Sequence, residues 1–349
     1  MSNISKNIQT HYIIGIGRSG TTLLSKLLNH HKNCLVTLES DFVIFFYHSF
    51  KHKTSFSSID YQLVVDYFDV YLKLNPSAYK YFQDSNLQQD LCNANITSYQ
   101  ELINFIYLRF NFLNKPLNDI KVIIDKKPSY SLHVDDLLKL NPNAKFIYLV
   151  RDYRANILSR KQSIERRSPN IAFNAYRWLF FNKKISKFKQ QYPKIILEIT
   201  YEELVTNTSE TIKKIVQFIN LSNENDELSF YDYAFHSVET NSKDELLNQR
   251  MKKTKEDLEK PIFKSRIDAW KEELTEKEIK LSEAICEDYA VNKGYSSIMN
   301  LNIIDKFKLK LKVVGALLKA IYDYQKEFIL IYLKAETKLN RIKSKFKLN

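Results

Sequence analysis

An arginine held among glycines directly after an apolar run is an arrangement for gripping an anion. Residues 15–22 read Gly15-Ile16-Gly17-Arg18-Ser19-Gly20-Thr21-Thr22 behind His11-Tyr12-Ile13-Ile14, and Leu23-Leu24-Ser25-Lys26-Leu27-Leu28 follows with helical spacing. Strand, glycine-bearing turn and helix in that order let backbone N–H groups converge on an anion. The first helical turn adds its positive dipole end and its unpaired donors. Only five glycines occur in the chain and three of them fall here, so the turn is not a by-product of composition. Gly15 and Gly20 have the spacing of a nucleotide phosphate loop, but Thr21 stands where such a loop carries its lysine, and the cation is Arg18, inside the turn. A phosphoryl-transfer site uses that lysine together with a metal. An arginine can clamp a terminal anion without one.

A second cationic signature lies at Phe146-Ile147-Tyr148-Leu149-Val150-Arg151-Asp152-Tyr153-Arg154, continuing to Ser159 and Arg160. The apolar run delivers Arg151 at its tip, and Asp152 is placed to cap the helix after it. Ser159 comes eight residues after Arg151, about two helical turns along, so only the fold can bring the two together. By spacing alone, Arg151 is equally a surface ion-pair partner.

These residues need a scaffold that presents strand ends on one side. Four β-branched-rich runs, 12–16, 122–124, 146–150 and 195–199, lack polar alternation, as strands covered on both faces do. Helical patterns separate them. The expected fold class is α/β, a three-layer sandwich around a central parallel sheet of the P-loop NTPase-like kind, with ligands at the carboxyl ends of the strands. Residues 41–118 read as a helical insert, or lid, rich in Phe and Tyr, with most of its aromatics expected in packing. Residues 1–300 are expected to form one α/β domain and residues 301–349 a basic amphipathic helical extension. In that extension Val314, Leu317, Ile321, Tyr324, Phe328 and Ile331 form an apolar stripe. Such a stripe suits packing on the main domain, a homo-oligomer contact, or peripheral attachment to anionic lipid.

Composition sets the outer limits. With 349 residues, 44% of them hydrophobic, the chain can bury a large core. Cys34, Cys92 and Cys286 lie far apart and form neither a disulfide framework nor a zinc pattern, which fits a reducing compartment. The polar start Met1-Ser2-Asn3-Ile4-Ser5-Lys6 runs straight into the first strand, so a cytoplasmic location is expected, or the inner face of a membrane. Of the net charge of +13, the last 49 residues hold +8, from 12 Lys/Arg against 4 Asp/Glu, leaving +5 for the rest. That modest surplus suits a small polyanionic ligand and, without a recognisable motif, argues against nucleic acid.

Taken in order, Gly17-Arg18-Ser19-Gly20-Thr21-Thr22-Leu23-Leu24, the Arg151 to Ser159 segment and Tyr201-Glu202-Glu203-Leu204 resemble the sulfotransferases that use 3′-phosphoadenosine 5′-phosphosulfate. The likeness is greater to the tyrosylprotein, carbohydrate-type and related bacterial members than to the cytosolic branch. The resemblance implies that Arg18, Ser19, Gly20, Thr21 and Thr22 hold the 5′-phosphosulfate and that Arg151 and Ser159 hold the 3′-phosphate. It places Tyr201 at the adenine, by stacking or hydrogen bonding, and Lys260 at the nucleotide. It makes Lys126, in Asp125-Lys126-Lys127-Pro128-Ser129, the cation at the transferring group. The cytosolic branch's histidine after that lysine is missing here, and Glu39 stands at the position of the catalytic carboxylate of the other branches. His133, in an expected helix, reads as structural. The implied reaction moves a sulfuryl group to a hydroxyl of a glycan, lipid or similar acceptor, with no metal. A nucleotide kinase or other phosphotransferase is one alternative, disfavoured by Thr21. A non-catalytic membrane-surface scaffold on the same fold is another, disfavoured by Arg18, Lys126 and Arg151 occurring together.

Overall fold

Five parallel strands, β1 (Gln9–Gly15), β2 (Cys34–Val36), β3 (Val122–Lys126), β4 (Phe146–Val150) and β5 (Ile196–Thr200), lie in the order β2-β3-β1-β4-β5. They are seen in a computed structural model that describes residues 2–74, 86–162, 170–221 and 264–346. The helices that carry the architecture are α1 (Thr21–Asn29), α2 (Phe42–Phe50), α3 (Ser58–Leu74), α4 (Tyr99–Arg109), α5 (Tyr153–Lys161), α6 (Ile171–Gln191), α7 (Glu276–Ala290), α8 (Ile303–Leu311), α9 (Val314–Ile329) and α10 (Ala335–Phe346).

The central strands are buried end to end because each face of the sheet has its own core. Tyr12, Ile14, Phe146, Tyr148 and Val150 enter one cluster with α4 and α6, while Ile13, Ile147 and Leu149 enter the other with α1 and the helix Thr208–Phe218. This is the two-residue alternation of a strand with apolar residues on both sides. The result is the expected three-layer α/β sandwich. The sequence runs underestimate two details. β2 is a strand of three residues, too short to leave a pattern. β3 extends to Lys126, so Asp125 and Lys126 end a strand rather than sit in a loop.

Register fixes what shares an edge. Ile13 pairs with Lys126, Gly15 with Leu149, and Val150 with Thr200, so the chain leaves the sheet at Gly15, Lys126, Val150 and Thr200 on the same side. The strand order reverses between β1 and β4, the crevice where ligands of open α/β sheets bind.

The insert packs through its aromatic residues. Phe42 alone meets Phe46, Tyr67, Phe68, Tyr99 and Tyr107 with ring centroids 5.4 to 6.4 Å apart. The C-terminal helices join the same core. α9 lies along α6 with Arg177 paired to Asp323 and Glu327, both at 3.2 Å. α10 returns to α2, where the buried Lys338 ammonium donates to the carbonyls of Ile44 and Phe45 at 3.1 and 2.6 Å. The expected stripe is rotated. Leu317, Tyr324, Phe328 and Ile331 face inward with Val313, Ala316 and Ala320, whereas Val314 and Ile321 face solvent. With this rotation Asp323 and Glu327 point toward Arg177 on α6, and Ala320 is fully buried at the contact. No described helix is long and apolar enough to cross a membrane.

Candidate functional site

β1 ends at Gly15 with φ +149°, where an added Cβ would lie 2.5 Å from the Leu149 carbonyl oxygen. The neighbouring strand leaves room for glycine only. Ser131 fastens this exit, its Oγ accepting the Gly15 N–H at 2.9 Å. The loop is then gripped from α5. Asn156 Nδ2 donates to the Gly17 carbonyl at 3.1 Å and to Ser19 Oγ at 3.2 Å, and Arg160 Nη2 donates to the same carbonyl at 2.8 Å. Arg18 is held in the left-handed region, φ +73°, which an arginine occupies only when its surroundings enforce it. Its Nε donates to Ser159 Oγ at 3.1 Å, so Ser159 meets the loop arginine rather than Arg151.

Gly20, φ +96°, is the N-cap of α1 and provides no side-chain cap. The first N–H groups of α1, at Thr21 and Thr22, are therefore donors that the helix itself does not use. Thr21 is buried and Thr22 exposed. A Cβ on Gly20 would lie 2.5 Å from Tyr201 Cδ2, so Tyr201 forms the wall of the turn.

Arg151 leaves β4 and is buried. Its guanidinium lies over the Tyr201 ring, 4.1 Å from the centroid, with Nη1 donating to the Arg18 carbonyl at 3.3 Å and Nη2 to the Arg266 carbonyl at 2.7 Å. Its Nε is buried without a hydrogen-bond partner among the described residues. Burial also holds its pKa below the usual arginine value. A buried cation whose hydrogen bonds among the described residues go to backbone carbonyls, with one donor unused there, has capacity for an anion. Arg154 has none to spare. It is paired to Asp152 at 2.7 Å and Glu283 at 3.1 Å and lies on Trp270, and so locks the segment in place. Asp152 caps α5 as expected, accepting the Arg154 N–H at 2.8 Å. Glu202, whose carboxyl pKa is raised by burial, accepts the Asp152 N–H at 3.2 Å and ties β5 to β4.

At the tip of β3, Lys126 Nζ meets Glu39 Oε2 at 2.7 Å. The lysine is buried and the carboxylate exposed, so the pair opens toward solvent from one side. Lys127 lies 2.9 Å from Asp41 and 3.7 Å from Glu39. Burial pulls its pKa down, but those two carboxylates more than offset this and leave it raised. Tyr71, on α3 of the insert, donates to the Glu39 carbonyl at 2.6 Å, fixing the backbone that carries the carboxylate. Behind the pair Asp125 is fully buried and receives hydrogen bonds from Tyr107 and Thr37. Burial pushes its carboxyl up to about 7.

The structure thus brings together Arg18, Ser19, Gly20, Thr21 and Thr22 with Ser159, Arg151 and Tyr201 around one turn, and pairs Lys126 with Glu39 at the same sheet edge. Lys260 lies outside the described residues. His133 precedes the helix Val134–Leu140 rather than lying in it, and is buried with its ring stacked on Phe328 at 5.8 Å. Sequence reasoning missed Ser131, Asn156, Arg160, Lys127 and Asp125. Asn156 and Arg160 left one available signal, their four-residue spacing on the helix that Asp152 caps.

Residues 12–225 match the Sulfotransferase family. Putative protein-tyrosine sulfotransferases of Caenorhabditis briggsae and Caenorhabditis elegans are each 28% identical to this chain over 129 residues, 35% of its length and 45% and 49% of theirs. The chain spans about half the length of these curated relatives. The sulfotransferase domain of the Synechococcus PCC 7002 olefin synthase is similar over 88% of this chain and 95% of its own, at 19% identity and a TM-score of 0.49. A mouse sulfotransferase solved in complex with PAP is similar over 84% and 92%, at 12% identity and a TM-score of 0.43.

Proposed function

The chain belongs to the sulfotransferase family, and from that premise we propose that it transfers a sulfuryl group from 3′-phosphoadenosine 5′-phosphosulfate to a hydroxyl acceptor. The observation that carries this reading is the pairing of two cationic clefts around Arg18. One is the turn at 15–22 with the unused donors of α1, and the other is buried Arg151 with its unpartnered Nε. A donor anionic at both ends of an adenosine needs two such clefts. The turn and Arg18 would hold the phosphosulfate, Arg151 and Ser159 the 3′-phosphate, Tyr201 the base, and Lys260 the nucleotide.

Transfer breaks the bond from sulfur to the phosphate oxygen and forms one to the acceptor oxygen. Negative charge builds on the departing phosphate and the acceptor loses a proton. Lys126 would meet the first demand and Glu39 the second. Their 2.7 Å ion pair, which puts cation and carboxylate side by side, supports this division of labour. As Lys126 turns to the departing phosphate, Glu39 gives up the nearer of its two lysines, keeps Lys127 at 3.7 Å, and becomes the stronger base. Residues 1–300 would carry this chemistry. The acceptor classes to test are glycans, lipids and, from the names of the curated relatives, the tyrosine phenol.

Transfer of labelled sulfate from the donor to a panel of these acceptors tests the reading. Acceptor labelling that is lost in Lys126→Ala supports it. Transfer of phosphate from ATP in the presence of Mg²⁺, with no sulfate transfer, would favour a phosphotransferase.

A further inference from the structure

The C-terminal helices carry two apolar faces, and only one is covered by the described residues. The inner face of α9 packs on α6. On its outer face Val314, Leu318, Ile321, Tyr322 and Ile329 recur at helical spacing and are 37 to 63% exposed. On α8 the row is Ile303, Ile304, Phe307 and Leu311, 84, 64, 61 and 55% exposed. Isolated exposed hydrophobics are ordinary, but consecutive rows along two adjoining helices mark a surface with a partner.

The charges around these rows identify the partner. Lys308, Lys312 and Lys326 are exposed and form no ion pair among the described residues, whereas Lys319 lies over the Phe173 ring of α6, 5.0 Å from its centroid. The acidic residues of α9, Asp323 and Glu327, are turned inward and neutralised by Arg177. What faces outward is apolar and predominantly cationic, with Asp305 the one exposed carboxylate that α8 and α9 carry. Protein interfaces deplete lysine around their apolar centres. Amphipathic helices lying in a lipid headgroup layer have just this combination. We propose that the outer face of α8 and α9 seats the protein on an anionic lipid surface. Ile303, Phe307, Leu311 and Leu318 enter the headgroup boundary, and Lys308, Lys312 and Lys326 meet lipid phosphates. No described helix crosses the bilayer in this arrangement, and the inference stands independently of the transfer reaction.

The test is sedimentation of the full chain with vesicles of phosphatidylcholine alone or with about one third phosphatidylglycerol, at low and high salt. Binding is expected with the anionic vesicles only and should fall with salt. The double variant Phe307→Glu/Leu311→Glu should bind at least about tenfold more weakly, since apolar insertion is lost. Lys308→Glu/Lys312→Glu should lose about tenfold or more through charge alone. Both pairs are exposed, so thermal unfolding should match the parent protein, and the lysine pair decides the matter should the apolar pair fail to fold. Failure of the parent to bind anionic vesicles overturns the proposal. So does a lipid-free dimer that Phe307→Glu/Leu311→Glu dissociates, because the face would then belong to a second copy of the chain.

Discussion

Replacing Asp125 by asparagine should change how stability depends on pH, and the sign and size follow from its surroundings. The carboxyl is fully buried, accepts from Tyr107 and Thr37, and is pushed by burial from the ordinary 3.8 up to about 7. Between those values the folded chain holds a proton that the unfolded chain has released. The raised pKa therefore contributes stability that is full below about pH 4 and is lost as pH climbs through 7. With one pKa unit worth about 1.4 kcal/mol, the parent should lose about 2–3 kcal/mol from this group between pH 5 and pH 8. The amide of the variant cannot ionise, so Asp125→Asn should gain on the parent by that amount over the same interval, whatever constant offset the amide introduces. Urea unfolding of both proteins at several pH values reads the difference, and groups common to both cancel. A difference between parent and Asp125→Asn that stays flat from pH 5 to pH 8 would refute the reasoning, because Asp125 would then be ionised throughout.

Gly20→Ala should destabilise by about 1–3 kcal/mol, from its positive φ and the clash with Tyr201, and should weaken nucleotide binding. Adding Tyr201→Ala should relieve the clash but not the backbone cost, so full restoration of stability would contradict the account. Glu39→Gln should cut turnover on an alcohol by about 10²-fold or more while sparing donor affinity. A nitrophenol acceptor, already acidic, should largely rescue Glu39→Gln but not Lys126→Ala; equal rescue of both would remove the distinction between base and cation. Arg177→Ala leaves Asp323 and Glu327 without their partner and should raise protease sensitivity within 301–349 ahead of global unfolding; unchanged cleavage would show that apolar packing alone holds α9.

Much of this architecture was legible because it is local. Tyr12 to Ile14 and Phe146 to Val150 announce buried strands by their lack of polar alternation, and Gly20 followed by Thr21 and a leucine-rich helix announces an anion-binding turn. The residues that stayed hidden act across long stretches of chain. Asn156 and Arg160 reach Gly17 from about 140 residues away, and nothing in their own neighbourhood identifies that carbonyl as their target. β2 escaped because three residues at a sheet edge carry no periodicity. The C-terminal stripe was visible as amphipathicity, but its rotation was not. α9 carries two apolar faces, and the one turned inward is the one whose neighbours Asp323 and Glu327 meet Arg177 on α6, far away in sequence. Lys126 and Glu39 could be named from the resemblance, whereas their direct ion pair needed β3 and the segment after β2 to be side by side.

Calorimetric titration with adenosine 3′,5′-bisphosphate and with ATP, each without Mg²⁺, tests the central claim that the two clefts are built for one doubly anionic adenosine donor. The bisphosphate should bind far more tightly than ATP, and Arg151→Ala should weaken it by about 1.5–3 kcal/mol through loss of a charge-assisted contact. Equal affinity for ATP, or an Arg151→Ala variant that binds the bisphosphate as well as the parent does, would contradict the account.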